Sequence, residues 1–270
     1  MKWITARRRR PWAGYVVVLA ALAVIGVVYA GLSPRTGPAQ ASATPAAAQD
    51  VSQGKQLFNQ ACSSCHGANA EGTRNAPSLI GVGAAAVHFQ VSTGRMPAMT
   101  LGAQMPEKKP LFNEQQTQQL AAYIASLGGG PPIPSADQVD PSTGDAALGG
   151  ALFRANCAQC HNYAGSGGAL TGGKYAPSLK NATPTQIYEA MLTGPEAMPV
   201  FNDHIITPAQ KRAVIAYVTQ TRSEGNPGGN GLGRVGPVAE GLVGWIAGLG
   251  LMIVAAMWIT ARKPKKQKQS

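Results

Sequence analysis

The chain has 270 residues, 44% of them apolar, with 23 basic side chains against 12 acidic ones and a formal charge of +11. Lys2 and Arg7–Arg10 lie near one end and Arg262, Lys263, Lys265, Lys266 and Lys268 near the other; with these ten in acid-free tails, the body between carries a net of only +1. The high isoelectric point is therefore no nucleic-acid footprint, and charge gathered outside an apolar run is a topology signal.

In chain order, residues 1–11 are a basic tail, and Trp12–Leu32 then runs for 21 residues without a charge. Near the other end Gly241–Thr260 gives 20 more, ahead of the tail at 261–270. About 20 such residues cross the hydrocarbon core of a bilayer. Each run carries its positive cluster on the outer side, which predicts two transmembrane helices with both termini in the cytoplasm. Trp12 and Trp258 sit near those ends, where an aromatic belt belongs. The competing reading makes the first run a cleaved signal peptide ending at Ala39-Gln40-Ala41 or Ala41-Ser42-Ala43. It fits less well, because a signal's apolar region is usually about 7–15 residues. In the second run Gly244 and Gly248 form a G-x-x-x-G, the pattern of a helix that packs closely on protein in lipid.

Between the runs, three stretches lack packing potential and read as linkers: 33–50, rich in Ala, Pro and Thr; 129–145, opening Gly-Gly-Pro-Pro; and 223–240, rich in Gly and Asn. They delimit compact segments at 51–128 and 146–222. These are two copies of one unit. Cys62-Ser63-Ser64-Cys65-His66 recurs 95 positions later as Cys157-Ala158-Gln159-Cys160-His161, which together use every cysteine in the chain. Gly54, Leu57 and Phe58 precede the first copy at the offsets of Gly149, Leu152 and Phe153 before the second. Ala76-Pro77-Ser78-Leu79 returns as Ala176-Pro177-Ser178-Leu179, after a Gly-rich insertion between Gly165 and Gly173. Thr93-Gly94 with Met96-Pro97 matches Thr193-Gly194 with Met198-Pro199.

C-x-x-C-H is the attachment motif of c-type haem: two thiols a short turn apart bond the macrocycle, and the adjacent imidazole reaches the iron. A thioredoxin-like pair would sit near a βαβ pattern and need no following His. A zinc ribbon would space its C-x-x-C pairs by about 15–20 residues. Two covalently bound haems are expected, with His66 and His161 as proximal ligands. The opposite ligand is Met96, Met99 or Met105 in the first copy and Met198 or Met191 in the second, with His88 and His204 as outside candidates. Met96 and Met198 are preferred because only they share the local pattern. Met191 falls on an apparent helix from Thr185 to Leu192, where core packing explains it better. Units this small bury little apolar surface unaided, and a flat apolar cofactor would complete each core.

Apolar spacing predicts helices from about Val51 and Ala146 into the two motifs, and others starting near Asn113-Glu114 and at Thr207-Pro208, where Pro takes the first helical position. No alternating strand pattern is present, and the expected class is all-α. The lysine pair Lys108-Lys109 lies in a loop the second copy lacks; a solvated loop is expected there, with a partner contact as the alternative.

Both segments resemble class I cytochromes c. In that family a proline carbonyl after the motif accepts a hydrogen bond from the proximal imidazole, a role that falls to Pro77 and Pro177, and aromatic residues of the terminal helices pack together, as Phe58, Phe153, Tyr123 and Tyr217 could. The whole architecture, two tandem cytochrome c domains between two transmembrane helices, is similar to the dihaem cytochrome c subunit of actinobacterial cytochrome bc complexes. That resemblance implies the electron-transfer subunit of a quinol:cytochrome c oxidoreductase in the cell membrane, with the haem domains on the extracytoplasmic side. It implies a Rieske iron–sulfur subunit and a cytochrome b subunit as partners. Electrons would leave for the copper centre of an aa-type cytochrome c oxidase. The rivals are the cytochrome c subunit of a cbb-type oxidase or an alcohol dehydrogenase, and a dihaem peroxidase, which needs one haem with an open position.

A body of charge +1 offers no large net charge for long-range steering, whereas tethering in one membrane gives neighbours an effective concentration of order mM. Turnover with redox partners in the membrane is therefore expected to change less than about two-fold between 50 and 200 mM salt; a steep fall in steady-state rate over that range would contradict it.

Overall fold

The computed structural model describes residues 12–32, 45–102, 104–225, 234 and 237–261. The basic clusters at 1–11 and 262–270, the linker segment 33–44 and most of 226–236 lie outside the described residues. The chain divides into two compact units, Met1–Thr44 and Pro45–Ser270. In the first, α1 (Ala13–Leu32) is a helix whose described side chains are exposed. Its apolar stretch among them, Gly14–Val28, is shorter than a bilayer span normally requires.

The second unit begins with α2 (Pro45–Ala61), so residues 45–50 belong to a helix rather than to the expected linker. Next come the motif turn α3 (Ser63–His66), α4 (Ala84–Ser92) and α5 (Glu114–Ser126). The second repeat runs α7 (Ala146–Asn156), α8 (Ala158–His161), α9 (Pro184–Thr193) and α10 (Pro208–Ser223). Between the repeats stand a short helix α6 (Ala136–Val139) and a 3-10 turn at Pro141–Thr143. The chain ends in α11 (Pro237–Thr260). Its segment Gly241–Thr260 is 20 residues of mean hydropathy 2.2 with no buried share, long and apolar enough to cross a membrane. Among the described residues the regular structure is helical with one exception. Gly168–Ala169 (β1) pairs antiparallel with Tyr175–Ala176 (β2), folding the Gly-rich insertion into a tiny hairpin. Two residues per strand are too few to leave an alternating pattern in the sequence.

Helix starts follow local chemistry. Asn113, Thr183 and Thr207 each cap a helix and pair with a glutamine three residues on, closing reciprocal capping boxes. Within each repeat the first and last helices cross: α2 on α5 and α7 on α10. Phe58 meets Tyr123 at 5.3 Å between ring centroids, and Phe153 meets Tyr217 at 5.3 Å, both tilted as aromatic pairs prefer. The crossings close because a glycine sits at each. A Cβ on Gly54 would overlap the carbonyl of Gln119, and one on Gly149 the carbonyl of Ala213.

The stretch expected as a free linker, 129–145, is a packed strap. Ala85 N–H donates to the Pro131 carbonyl at 3.0 Å and Ile133 packs on the first core, while Val139 packs on the second and Arg212 donates to the Asp137 carbonyl at 3.3 Å. Its prolines and glycines shape a route over two surfaces; they do not mark the absence of packing. The repeats also touch directly, α4 against α9. Gln186 Nε2 donates to Ser92 Oγ at 3.2 Å, and His88 Nδ1 lies 2.7 and 2.9 Å from the two carboxylate oxygens of Glu189, which is fully buried. The other ring nitrogen of His88 is 3.2 Å from Glu114.

Burial alone would pull His88 below its ordinary value, but the Glu189 carboxylate and then that of Glu114 outweigh it, and the imidazole ends up raised. Burial raises Glu189, against the partial opposition of His88.

Two outcomes are expected. Gly149→Ala or Gly54→Ala forces the helix crossing apart and should destabilise the fold by about 1–3 kcal/mol, read as a lower Tm in thermal unfolding followed by circular dichroism. A raised histidine contributes stability that is complete below its unfolded value, about 6.5, and is lost as pH climbs through the folded value. Tm of the wild type should therefore fall as pH rises above about 6.5, and His88→Gln should flatten that slope; parallel slopes would mean the pair does not carry it.

Candidate functional site

The two C-x-x-C-H motifs fold alike. Each first cysteine donates its N–H back to the preceding helix (Cys62 to Phe58 and Cys157 to Phe153, both 2.8 Å), and each histidine N–H bonds the first cysteine's carbonyl at 3.0 and 2.9 Å. One turn of helix therefore presents both sulfurs and the imidazole together. The loop after it closes on itself: Gly72 N–H reaches the His66 carbonyl and Leu79 N–H the Ala70 carbonyl, as Gly167 reaches His161 and Leu179 reaches Gly165. This closure delivers the proline carbonyl to the ring. His66 Nδ1 donates to Pro77 O at 2.8 Å and His161 Nδ1 to Pro177 O at 3.0 Å. A carbonyl only accepts, so each Nδ1 carries the proton and each Nε2 is left with its lone pair free for a metal. Burial pushes His161 below its ordinary value, partly opposed by the Pro177 hydrogen bond.

All four cysteines are free thiols. Burial, and then the neighbouring thiol, push Cys62 and Cys157 each up to about 11, which keeps them un-ionised near neutral pH. A thiol held that high is a poor redox nucleophile. Among the described residues no group of three or more His, Cys, Asp or Glu is placed to hold a metal ion.

In the second repeat Cys157, Cys160, His161, Pro177, Leu179, Met191, Met198, Phe201 and Val218 line one open cavity, about 1220 Å³ with the solvent space at its opening included. Its walls are apolar, its floor carries the motif, and a thioether faces the same space. That donor set fits a flat iron macrocycle. Met198 packs half-buried on the second core, where Met191 is a fully buried member and so a packing residue. In the first repeat Cys62, Leu79 and Met96 pack on one core, whereas Met99 is 84% exposed, and Met105, outside that core, donates its backbone N–H to Glu196 of the second repeat at 2.7 Å. Met96 and Met198 follow the same device. Thr93 and Thr193 end α4 and α9 by donating Oγ1 to the carbonyl four residues back, each at 2.7 Å. Gly94 and Gly194 then take positive φ of 68° and 57°, turning the chain towards the methionine. His88 is committed to Glu189, and His204 lies exposed.

Several residues of the site left no readable mark in the sequence. Lys108, expected in a solvated loop, folds its ammonium under the Met96 loop, donating to the carbonyls of Gly94, Arg95 (3.2 Å) and Pro97 (2.6 Å). The rest of that loop docks on the second repeat: Gln104 Nε2 donates to Tyr175 O at 2.7 Å and its Oε1 accepts from Tyr175 N at 2.9 Å. The expected solvated loop is thus tied down by contacts within the chain.

Comparison with known proteins agrees with this geometry. The family model for subunit III of cbb3-type cytochrome c oxidase, a cytochrome c domain, matches twice, at residues 49–124 and 144–218. The "Cytochrome bc1 complex cytochrome c subunit" of Mycobacterium tuberculosis is 47% identical over 95% of this chain and 93% of its own length. That of Corynebacterium diphtheriae is 41% identical over 97% and 98%. The cbb3-type oxidase subunit FixP of Rhizobium meliloti is 40% identical, but over only 30% of this chain and 28% of its own. With two cytochrome c domains, the haem-attachment motif in each, and relatives aligned from end to end, the chain belongs to the family of cytochrome c subunits of the cytochrome bc1 complex.

Proposed function

We propose that the chain is a membrane-anchored carrier that accepts electrons from quinol oxidation and passes them through two covalently held haems to a terminal oxidase. Cys62 with Cys65, and Cys157 with Cys160, form the thioether links. His66 and His161, oriented by Pro77 and Pro177, would hold the irons together with Met96 and Met198. The observation that carries this reading is the cavity of the second repeat, where the cysteines, the carbonyl-pinned His161 and Met198 line one apolar space. Bound there, a haem supplies reversible one-electron chemistry. Held by a His/Met pair, it would have a raised reduction potential and no open position for a substrate, which suits electron transfer and disfavours a peroxidase. What the chain itself contributes is a largely apolar wall, a fixed imidazole tautomer and a half-buried thioether, so little rearranges when the charge changes.

Relatives named for the bc1 complex align with nearly the whole chain and those named for the cbb3 oxidase with 30% of it, which favours the bc placement. On this reading the Rieske iron–sulfur subunit, beside the cytochrome b subunit, reduces the first haem. The electron crosses to the second haem and leaves for the copper centre of an aa-type oxidase in a respiratory supercomplex. No substrate chemistry of its own is expected. Positive clusters outside both apolar runs support two membrane spans with both termini cytoplasmic and the haems outside.

Full-length protein from membranes should hold two haems per chain by pyridine haemochrome. Met198→Ala should keep both, lose the methionine–iron charge-transfer band of one, and let that one bind carbon monoxide. A variant spectrum identical to wild type would show that Met198 is not a ligand.

A further inference from the structure

The cavity of the second repeat is not built by that repeat alone. Phe89, Thr93, Arg95, Gln104 and Glu107 of the first repeat also line it. Among these, Arg95 is anomalous. It is 8% exposed, and the described contact of its guanidinium is with the Phe89 ring, 5.0 Å from centroid to Cζ. Among the described residues no carboxylate pairs with it; Glu107 lines the same cavity, is exposed and forms no ion pair with it.

A guanidinium carries five donors and stays charged at any physiological pH. Burying such a cation without an anion costs several kcal/mol in ordinary proteins, so its position beside a cavity calls for a negative group inside. The repeat itself does not demand the residue, since the matching position in the second copy is Pro195. The backbone around Arg95 is held from both sides. Lys108 Nζ donates to the carbonyls of Gly94, Arg95 and Pro97, and Gln104 fastens the same loop to Tyr175 at the cavity's edge. A cation carried on backbone held this firmly, with its guanidinium stacked on Phe89 at another domain's opening, is a positioned charge.

We propose that Arg95 of the first repeat is the counter-cation for a propionate of the haem in the second, so that one domain completes and tunes the cofactor site of the other. This rests on the assignment of a haem to that cavity. Bidentate pairing with a carboxylate is what a planar guanidinium does best. A positive charge beside the macrocycle penalises the oxidised iron more than the reduced one, so Arg95 raises the second haem's potential and favours forward transfer into it.

The test is potentiometric titration of the full-length protein in detergent, read optically, for wild type, Arg95→Gln and Arg95→Lys. Arg95→Gln should leave two haems per chain and both methionine bands intact. At the wild-type midpoint of the second haem, its reduced-to-oxidised ratio should fall about ten-fold, equivalent to ~59 mV for a one-electron couple. Arg95→Lys should recover most of that. The shift is assigned by repeating Arg95→Gln in a Cys157→Ala, Cys160→Ala background that keeps only the first haem, whose midpoint should not move. A shift in that background would mean Arg95 acts on its own domain's haem, and no shift in the intact chain would mean it faces no propionate; either result overturns the proposal. Loss of a haem from the wild type would instead undo the cofactor assignment beneath it.

Discussion

The hydrogen bond from each histidine's Nδ1 to a proline carbonyl is the contact on which both sites turn. An imidazole free to flip presents either nitrogen, whereas a carbonyl 2.8 or 3.0 Å from Nδ1 permits one tautomer and one ring plane. Such a bond contributes only about 1 kcal/mol to stability. Its weight lies in selection: it decides that Nε2, with its lone pair, faces away from the loop. The closure of Leu79 on Ala70 and of Leu179 on Gly165 serves to bring that carbonyl into reach, and Ala-Pro-Ser-Leu recurs because the geometry has to recur.

A second constraint acts between the repeats. Each of α4 and α9 packs one side on its own core, and their mutual contact buries a carboxylate completely, which is tolerable only because His88 supplies charge and a hydrogen bond to it. The strap at 129–145 and the loop carrying Gln104 hold the halves on either side of that contact. Relative motion of the two halves would expose the Glu189 pair and break the Gln104–Tyr175 bonds together. On the proposed function this matters directly, because electron transfer between fixed centres depends on a separation that thermal motion does not reset.

Much of this was legible in the residues. The motifs, the repeat and the terminal helices could all be read because each is set by contacts local in sequence or by spacing repeated in both copies, whereas the aromatic pairs were implied by the resemblance to class I cytochromes c. What escaped reading depends on contacts between the copies. His88 and Glu189 stand 101 residues apart with nothing between them to suggest a pair, and Lys108 looks like any loop lysine until three carbonyls are seen converging on it. The strap was misjudged for a related reason. Proline and glycine signal chain that departs from helix, and a segment threaded tightly between two surfaces departs from helix as surely as a floppy one. The β1–β2 hairpin escaped because two residues per strand have no period.

The docking of α4 on α9 also bears on how such a gene can grow. These helices are the same element of the two repeats, so the duplicated unit has met its own copy, and each helix is consumed by the other. A head-to-tail contact between repeats would leave one sticky face at each end and invite a third unit, then a fourth. This one leaves neither helix free, and the loops that seal it, with Gln104 on one side and the Gly-rich hairpin on the other, have already diverged to fit their single counterpart. The tandem is closed at two, and lengthening the chain of redox centres would require a different surface altogether.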